Sequence, residues 1–150
     1  MLVLVDTNVL LRAAAPAQPH HAFATRMLRG SRQVGHDVCV VPQVHYEFWV
    51  VATRPLAQNG LGMTAAAAAV HLRTLGPPLF RLLRDERAIY DEWRKLVAAH
   101  HVQGRQAHDA RLVAAMRRHG VTHLMTFNGA DFKRYPGIEI LDPTQDLHHS

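Results

Sequence analysis

The chain has 150 residues, of which 48% are hydrophobic, and its formal net charge is +5 with its 12 histidines counted as neutral. This length is typical of one domain with an ordinary globular core, so neither a disulfide nor a structural metal is needed to explain folding. The single cysteine, Cys39, excludes an intrachain disulfide and a zinc site built on paired cysteines. No apolar stretch is long enough to span a bilayer, and a charge comes early, at Asp6. We therefore expect a cytoplasmic protein without a secretory signal.

The basic excess leaves two explanations open. A net positive charge attracts polyanions such as nucleic acids, because their binding releases counterions. The same abundance of Ala, Arg and His would also result from GC-rich codons alone. Charge therefore indicates a nucleic-acid partner only if a chemical site supports it.

Short apolar runs alternate with longer segments of helical periodicity. Such runs are typical of strands buried on both faces of a parallel sheet. Pro42 ends the second run, and Gly76-Pro77-Pro78 ends an Ala-rich helix that Thr64 caps. In chain order we predict a strand at 2–5, a helix starting near 9–12, a helix at 19–32, a strand at 38–41, helices at 43–53 and 64–75, a candidate strand at 79–83, helices at 85–101 and 107–119, and strands at 123–126 and 138–141. This order predicts an α/β fold with a central parallel sheet of four or five strands and helices on both faces.

Acidic residues stand close to the ends of several predicted strands. Asp6 follows the first strand, Glu47 lies in the helix after the second, and Asp109 opens the helix before the fourth. Ligands of open α/β sheets collect beyond the C-terminal ends of the strands. We therefore expect the three carboxylates to lie near one edge of the sheet, close to one another.

Each acid also has an ordinary structural explanation. Asp6 would serve as the N-cap of the next helix, although a carboxylate that ends a buried strand is costly unless a cation offsets its desolvation. Glu47 would lie on a solvent-facing helix surface, although its neighbours are apolar on both sides. Asp109 would interact favourably with a helix dipole. Together, however, the three acids would form an all-oxygen site for Mg²⁺ or Mn²⁺, which suits phosphodiester hydrolysis.

The ordered motifs carry a family resemblance. Residues 3–11, with Asp6-Thr7-Asn8, resemble the opening of PIN domains. Residues 42–47 resemble the segment that brings the family's second acid, and residues 108–115 with 123–132 resemble the second half of VapC-type toxins. The resemblance covers residues 1–143 as one PIN-like domain and leaves 144–150 as a short C-terminal tail.

The resemblance implies a Mg²⁺- or Mn²⁺-dependent endoribonuclease that is the toxin of a toxin–antitoxin pair. It also implies an RNA substrate, a homodimer and a small antitoxin whose C-terminal segment covers the acidic pocket. The helix around Trp49 and the Ala-rich segment 65–69 are candidates for these contacts, or else belong to the core. Asp6, Glu47 and Asp109 map onto the family's catalytic, metal-binding acids, and Asn8 and Thr126 resemble polar residues that support the site.

The sequence departs from the family pattern after the fourth strand. The family often has a fourth acid there, where this chain has Asn128, with Asp131 three residues later. Asn128 would orient a water, and Asp131 would either replace the missing acid or cap the loop before Phe132. One or two metal ions are both compatible with this set.

Three alternatives are left open. A haloacid-dehalogenase-type phosphatase also places an Asp after its first strand, but it needs a second Asp where this chain has Asn8. The second alternative is a PIN-like nuclease that acts on DNA, or that acts on RNA as a processing enzyme and not as a toxin. The alternative from another class is a catalytically weak or inactive RNA-binding module of the same fold, which would hold RNA equally well in a chelator.

Overall fold

The computed structural model describes residues 1–145, so the end of the predicted tail, 146–150, lies outside the described residues. Five strands form one sheet: β1 (Leu2–Val5), β2 (Asp37–Val40), β3 (Arg81–Leu82), β4 (His123–Met125) and β5 (Glu139–Leu141). Within the same residues, six α-helices flank the sheet: α1 (Thr7–Ala14), α2 (His21–Gln33), α3 (Pro42–Thr53), α4 (Ala65–Thr74), α5 (Arg87–Ala99) and α6 (Gln106–His119). Two 3-10 turns lie at Leu56–Gln58 and Gly129–Phe132.

The strands are all parallel, in the order β3-β2-β1-β4-β5. The chain therefore moves outward from β1 to β3, then crosses back to β4 and continues to β5. Because parallel crossovers are right-handed, α1 to α4 lie on one face of the sheet, and α5 and α6 lie on the other. The predicted α/β fold is confirmed, and the strand order reverses between β1 and β4.

The central strand β1 carries the most deeply buried part of the core. Leu4 pairs with Cys39 of β2 on one side and with Leu124 of β4 on the other, and all three side chains are buried. A strand covered on both faces must be apolar throughout, which explains why β1 shows no alternation of polar and apolar residues. Cys39 is the small buried hydrophobe of a core strand. None of the helices in residues 1–145 combines the length and the apolar character needed to cross a membrane.

The largest difference from the predicted elements is at the edge of the sheet. Within the candidate strand 79–83, only Arg81 and Leu82 are in register with β2, and the backbone N–H of Leu83 donates to the carbonyl of Val40 at 2.9 Å. Arg81 forms an ion pair with Asp37 of β2 at 2.5 Å. Helix α5 begins at Arg87 rather than at residue 85, because Glu86 has an extended backbone conformation. The side chain of Asp85 therefore lies outside the helix, beside α6.

Candidate active site

The site lies where β1 and β4 end side by side. Asp6 follows β1, and its backbone N–H donates to the carbonyl of Met125 at 2.9 Å. Thr126 follows β4 and is fully buried. The reversal of strand order between these two strands opens a crevice at their carboxyl ends, which is the usual place for a ligand in an open α/β sheet.

Asp6 is both the N-cap of α1 and the most buried acid of the site. Its side chain is 7% exposed, and its Oδ1 accepts a hydrogen bond from the backbone N–H of Thr7 at 2.8 Å. Its Oδ2 accepts from the Thr126 hydroxyl at 2.8 Å and from the Asn8 side-chain amide at 3.3 Å. A carboxylate has about four lone-pair positions, and these contacts use three. Capping and cation binding by Asp6 are therefore compatible.

Asn8 and Thr126 hold the two strand ends together beside Asp6. The Asn8 amide also donates to the Thr126 hydroxyl oxygen at 3.1 Å, and its carbonyl oxygen accepts from the backbone N–H of Phe127 at 3.1 Å. The backbone N–H of Asn128 donates to the same hydroxyl oxygen at 3.1 Å. These contacts fix the orientation of the Asp6 carboxylate from two parts of the chain.

Glu47 is directed toward this network by its neighbours on α1 and α3. The side chain is half-buried, and its Oε2 accepts from the Thr7 hydroxyl at 2.9 Å. Its Oε1 accepts from the side-chain amide of Gln43, one helical turn earlier, at 2.7 Å. Glu47 is therefore tied to the residue next to Asp6, and does not extend freely into solvent.

Gln43 and Thr7 are two residues of the site that the sequence analysis missed. Gln43 is buried, and its amide donates to the carbonyl of His108 at 2.8 Å as well as to Glu47. Its own carbonyl oxygen accepts from Arg111 of α6 at 3.2 Å. The four-residue spacing from Gln43 to Glu47 on a helix was a usable signal, because such residues are neighbours on one face.

Asp109 lies in the first turn of α6 and lines an open cleft of about 700 Å³ with Glu47, Asn128 and Asp131. Its carboxylate is half-buried, and no group within residues 1–145 donates a hydrogen bond to it. Arg105 and His108 lie on the rim of the same cleft. The cleft is therefore acidic at its base, with basic side chains around it.

The carboxylates of the site repel one another. Burial raises the pKa of Asp6 to about 6, with further contributions from the charges of Glu47 and Asp131, although hydrogen bonds from Thr126 and Thr7 lower it. Burial also raises the pKa of Asp109 to about 7, and the charges of Asp6, Asp131 and Glu47 raise it further. Arg134 acts in the opposite direction on Asp109. This mutual repulsion is the electrostatic signature of a site that a cation would stabilise.

Asp131 supplies a fourth negative charge to the site, from a position three residues after Asn128. It lies in the 3-10 turn Gly129–Phe132, its side chain is exposed, and it lines the cleft. Its charge contributes to the raised pKa of both Asp6 and Asp109. The exposed side chain of Asn128 lines the same cleft, so both residues that the sequence singled out are present there.

The donor chemistry of this cleft fits a hard divalent cation. Carboxylate oxygens are the ligands that Mg²⁺ and Mn²⁺ prefer, and a bound cation would offset both the burial and the mutual repulsion that raise the pKa values of Asp6 and Asp109. Among residues 1–145, however, no group of three or more His, Cys, Asp or Glu side chains is arranged to hold a metal ion by itself. A site with few protein ligands, completed by water and phosphate oxygens, is the usual way in which Mg²⁺ binds.

The chain is similar to known ribonucleases and toxins over nearly its whole length. The family model for the PIN domain matches residues 3–138. The ribonuclease VapC48 of Mycobacterium tuberculosis is 27% identical over 139 residues, which cover 92% of this chain and 94% of that protein. The crystal structure of VapC20 of the same organism, described as a sarcin–ricin loop cleaving toxin, superposes with a TM-score of 0.68 at 17% identity, over 86% of this chain and 92% of VapC20. A toxin–antitoxin complex from Klebsiella pneumoniae contains a chain with a TM-score of 0.64 at 18% identity, over 94% of this chain and 97% of that one.

These matches agree with the geometry of the site. The matched region contains β1, β4 and the acidic residues of the cleft. The structural neighbours share the fold over most of both chains. From the extent of the family match, the chain belongs to the PIN-domain family.

Proposed function

We propose that this PIN-domain protein is a divalent-metal-dependent endoribonuclease and the toxin of a toxin–antitoxin pair. The observation that carries the proposal is that Asp6, buried at the end of the central strands, lies close enough to Asp109 for its charge to raise the pKa of that carboxyl, in a cleft that Glu47 and Asp131 also line. The relatives named ribonucleases and toxins support the reaction and the biological role.

Asp6, Glu47 and Asp109 would hold Mg²⁺ or Mn²⁺, with Asp131 contributing charge from the rim. When bound, the cation neutralises phosphate charge and lowers the pKa of water at the reacting phosphorus. Of these three acids, Asp109 is the one whose carboxylate accepts no hydrogen bond from residues 1–145, so it is the one that can change partners as substrate enters. We expect metal binding to lower its pKa and to keep it ionised at neutral pH.

The residues around the acids keep them in position. Thr126 and Asn8 orient Asp6, while Thr7 and Gln43 orient the two oxygens of Glu47. Such preorganisation avoids the cost of ordering the carboxylates when substrate binds.

Basic residues around the cleft would hold the RNA backbone. Arg105 lines the cleft, and Arg134 lies close enough to Asp109 to lower its pKa while donating to Gln106. Arginine guanidinium groups bind phosphate oxygens well, and their positive charges offset the repulsion between an acidic cleft and a polyanion. The net charge of +5 supports the same interaction.

The apolar surface of α3 and α4 would be the contact for the antitoxin or for a second copy of the chain. Tyr46, Val50 and Val70 on these helices are 63%, 55% and 57% exposed. Most of the Ala-rich segment 65–69 is exposed as well, and only Ala68 is fully buried. Contiguous exposed apolar side chains are typical of protein interfaces. The toxin–antitoxin structure among the neighbours supports an antitoxin partner.

Cleavage of purified cellular RNA in chelator and in Mg²⁺ or Mn²⁺, with sequencing of the new ends, tests this function. We expect cutting only with the divalent ion, and none by the Asp6→Asn variant. The matched control is Asp91→Asn, which removes the same charge from an exposed position on α5. An inactive RNA-binding module would instead retain RNA equally in chelator and produce no new ends.

A further inference from the structure

A second cavity lies between α5 and α6, next to the acidic cleft. Its volume is about 420 Å³, within the range of roughly 300–1,000 Å³ that is usual for small-ligand pockets. The buried side chain of Ile89 lies at its base, and Tyr90 and Trp93 line it. His108 lines both this cavity and the acidic cleft, so the two adjoin at this residue.

The cavity presents two neighbouring aromatic rings, one of which is held in place by a hydrogen bond. Tyr90 and Trp93 have ring centroids 6.2 Å apart and planes inclined by 27°. The Trp93 indole N–H donates to the carbonyl of Ala107 at 2.8 Å, which holds that ring against α6. Tyr90 is 58% exposed, so part of its ring is available to a ligand. Exposed aromatic rings beside a nucleic-acid site are typical stacking surfaces for unpaired bases.

The rim of the cavity places a hydrogen-bond donor, the guanidinium of Arg111, next to a hydrogen-bond acceptor, the carboxylate of Asp85. The guanidinium of Arg111 lies 3.4 Å from the carboxylate of Asp85, and its other nitrogen donates to Gln43. Glu86, also at the cavity, is paired with Arg118. Guanine is the base whose edges match such a pair, because its N1–H and N2–H donate to a carboxylate and its O6 and N7 accept from arginine.

We propose that this cavity is a nucleobase subsite that takes a guanine of the substrate strand. The proposal rests on the proposed function, because the strand is the RNA whose phosphate lies in the acidic cleft. Because the cavity and the acidic cleft adjoin at His108, a base next to the phosphate in the cleft can enter the cavity. Arg111 also donates to Gln43, which donates to Glu47, so two hydrogen bonds connect an occupied subsite to one acid of the cleft.

Nucleoside binding in chelator tests the subsite without requiring cleavage. The probes are guanosine, adenosine, cytidine and uridine, and the readout is the NMR resonance of the Trp93 indole N–H, distinguished from that of Trp49 by a Trp49→Phe variant. We expect guanosine to shift the Trp93 resonance and to bind more tightly than the other nucleosides. Tyr90→Ala should weaken guanosine binding about tenfold, and Tyr90→Phe, which keeps the ring, should not. Asp85→Asn should remove the preference for guanosine.

Equal binding of all four nucleosides, an unmoved Trp93 resonance, or unchanged binding by Tyr90→Ala would overturn the proposal. So would a Tyr90→Ala variant that alters the oligomeric state in sedimentation, since the cavity would then be an interface between copies. Cleavage assays separate the two proposals. RNA cutting without guanosine binding removes the subsite alone, whereas guanosine binding without RNA cutting removes the nuclease function and leaves a base-binding pocket.

Discussion

Replacing Asp109 by Asn should stabilise the metal-free protein at neutral pH. The carboxyl pKa of Asp109 is raised from 3.8 to about 7, chiefly by burial and then by the charges of Asp6, Asp131 and Glu47. An ionised Asp109 therefore costs free energy in the folded state that it does not cost in the unfolded chain. Asparagine has nearly the same size, carries no charge, and loses no hydrogen bond to residues 1–145.

The size and pH dependence of this gain follow from the two pKa values. A difference of about three pKa units corresponds to about 4 kcal/mol, and allowance for the solvent-exposed side of the carboxylate leaves about 2 kcal/mol. Below pH 4, Asp109 is protonated in both states and the substitution should be neutral. The wild-type protein then loses relative stability as the pH rises toward 7, where the full advantage of the Asn variant is reached.

Thermal or urea unfolding in chelator, at pH values from 4.5 to 8, measures this advantage. About 2 kcal/mol corresponds to a rise in Tm of about 4–8 °C for a domain of this size. Asp91→Asn, the exposed control on α5, should change stability by less than about 0.5 kcal/mol at every pH. Adding Mg²⁺ should reduce the advantage, because the ion stabilises the wild-type protein by binding its folded state.

The reasoning would be refuted by an Asp109→Asn protein that is no more stable than wild type at pH 8 in chelator. A gain of equal size at pH 4.5 would also refute it, because the folded-state carboxyl of Asp109 is then neutral and only a small part of the gain is expected. In that case burial of a polar side chain, and not charge repulsion, would explain the difference.

Three further predictions concern activity and assembly. Asp6→Asn should lower RNA cleavage by more than about 100-fold while the thermal melt is retained. Removing a residue that only orients a metal ligand costs roughly 10–100-fold in activity, and removing the ligand itself should cost more. Gln43→Leu should lower cleavage about 10–100-fold, with partial recovery at high Mg²⁺, if it acts by orienting Glu47; a loss that no Mg²⁺ concentration improves would contradict that role. Val50→Asp, which places a charge on the exposed surface of α3, should weaken association with a copy of the chain or with the antitoxin, and unchanged sedimentation and unchanged co-purification would count against that interface.

The sequence predicted the sheet because apolar runs such as 2–5 can be stable only between two covering layers. It also predicted that Asp6, Glu47 and Asp109 belong near one sheet edge, since parallel strands end together. It did not predict that Gln43 connects Glu47 to α6, because its contacts to His108 and Arg111 span 65 and 68 residues of sequence. Such contacts depend on how α3 packs relative to α6, and no local pattern encodes that relation.

The extent of the candidate strand 79–83 was wrong for a similar reason. Its apolar residues are compatible with a strand, but only Arg81 and Leu82 are in register with β2, and Leu83 adds one backbone hydrogen bond to Val40. The length of an edge strand depends on the length of its single neighbour and on the path of the following loop. The early end of β3 then leaves Asp85 outside α5, where it meets Arg111.

The hydroxyl of Thr126 has a consequence for when the enzyme can first act. It bonds to Asp6, 120 residues earlier in the sequence, and contacts made over such distances close late in folding. A growing chain that has not yet reached β4 lacks Thr126, which orients the carboxylate of Asp6, the first of the proposed catalytic acids. We therefore expect nuclease activity to appear only after β4 and Thr126 have been made and have packed beside β1. A nascent fragment that ends before β4 should therefore not cut RNA, even though it already contains Asp6, Glu47 and Asp109.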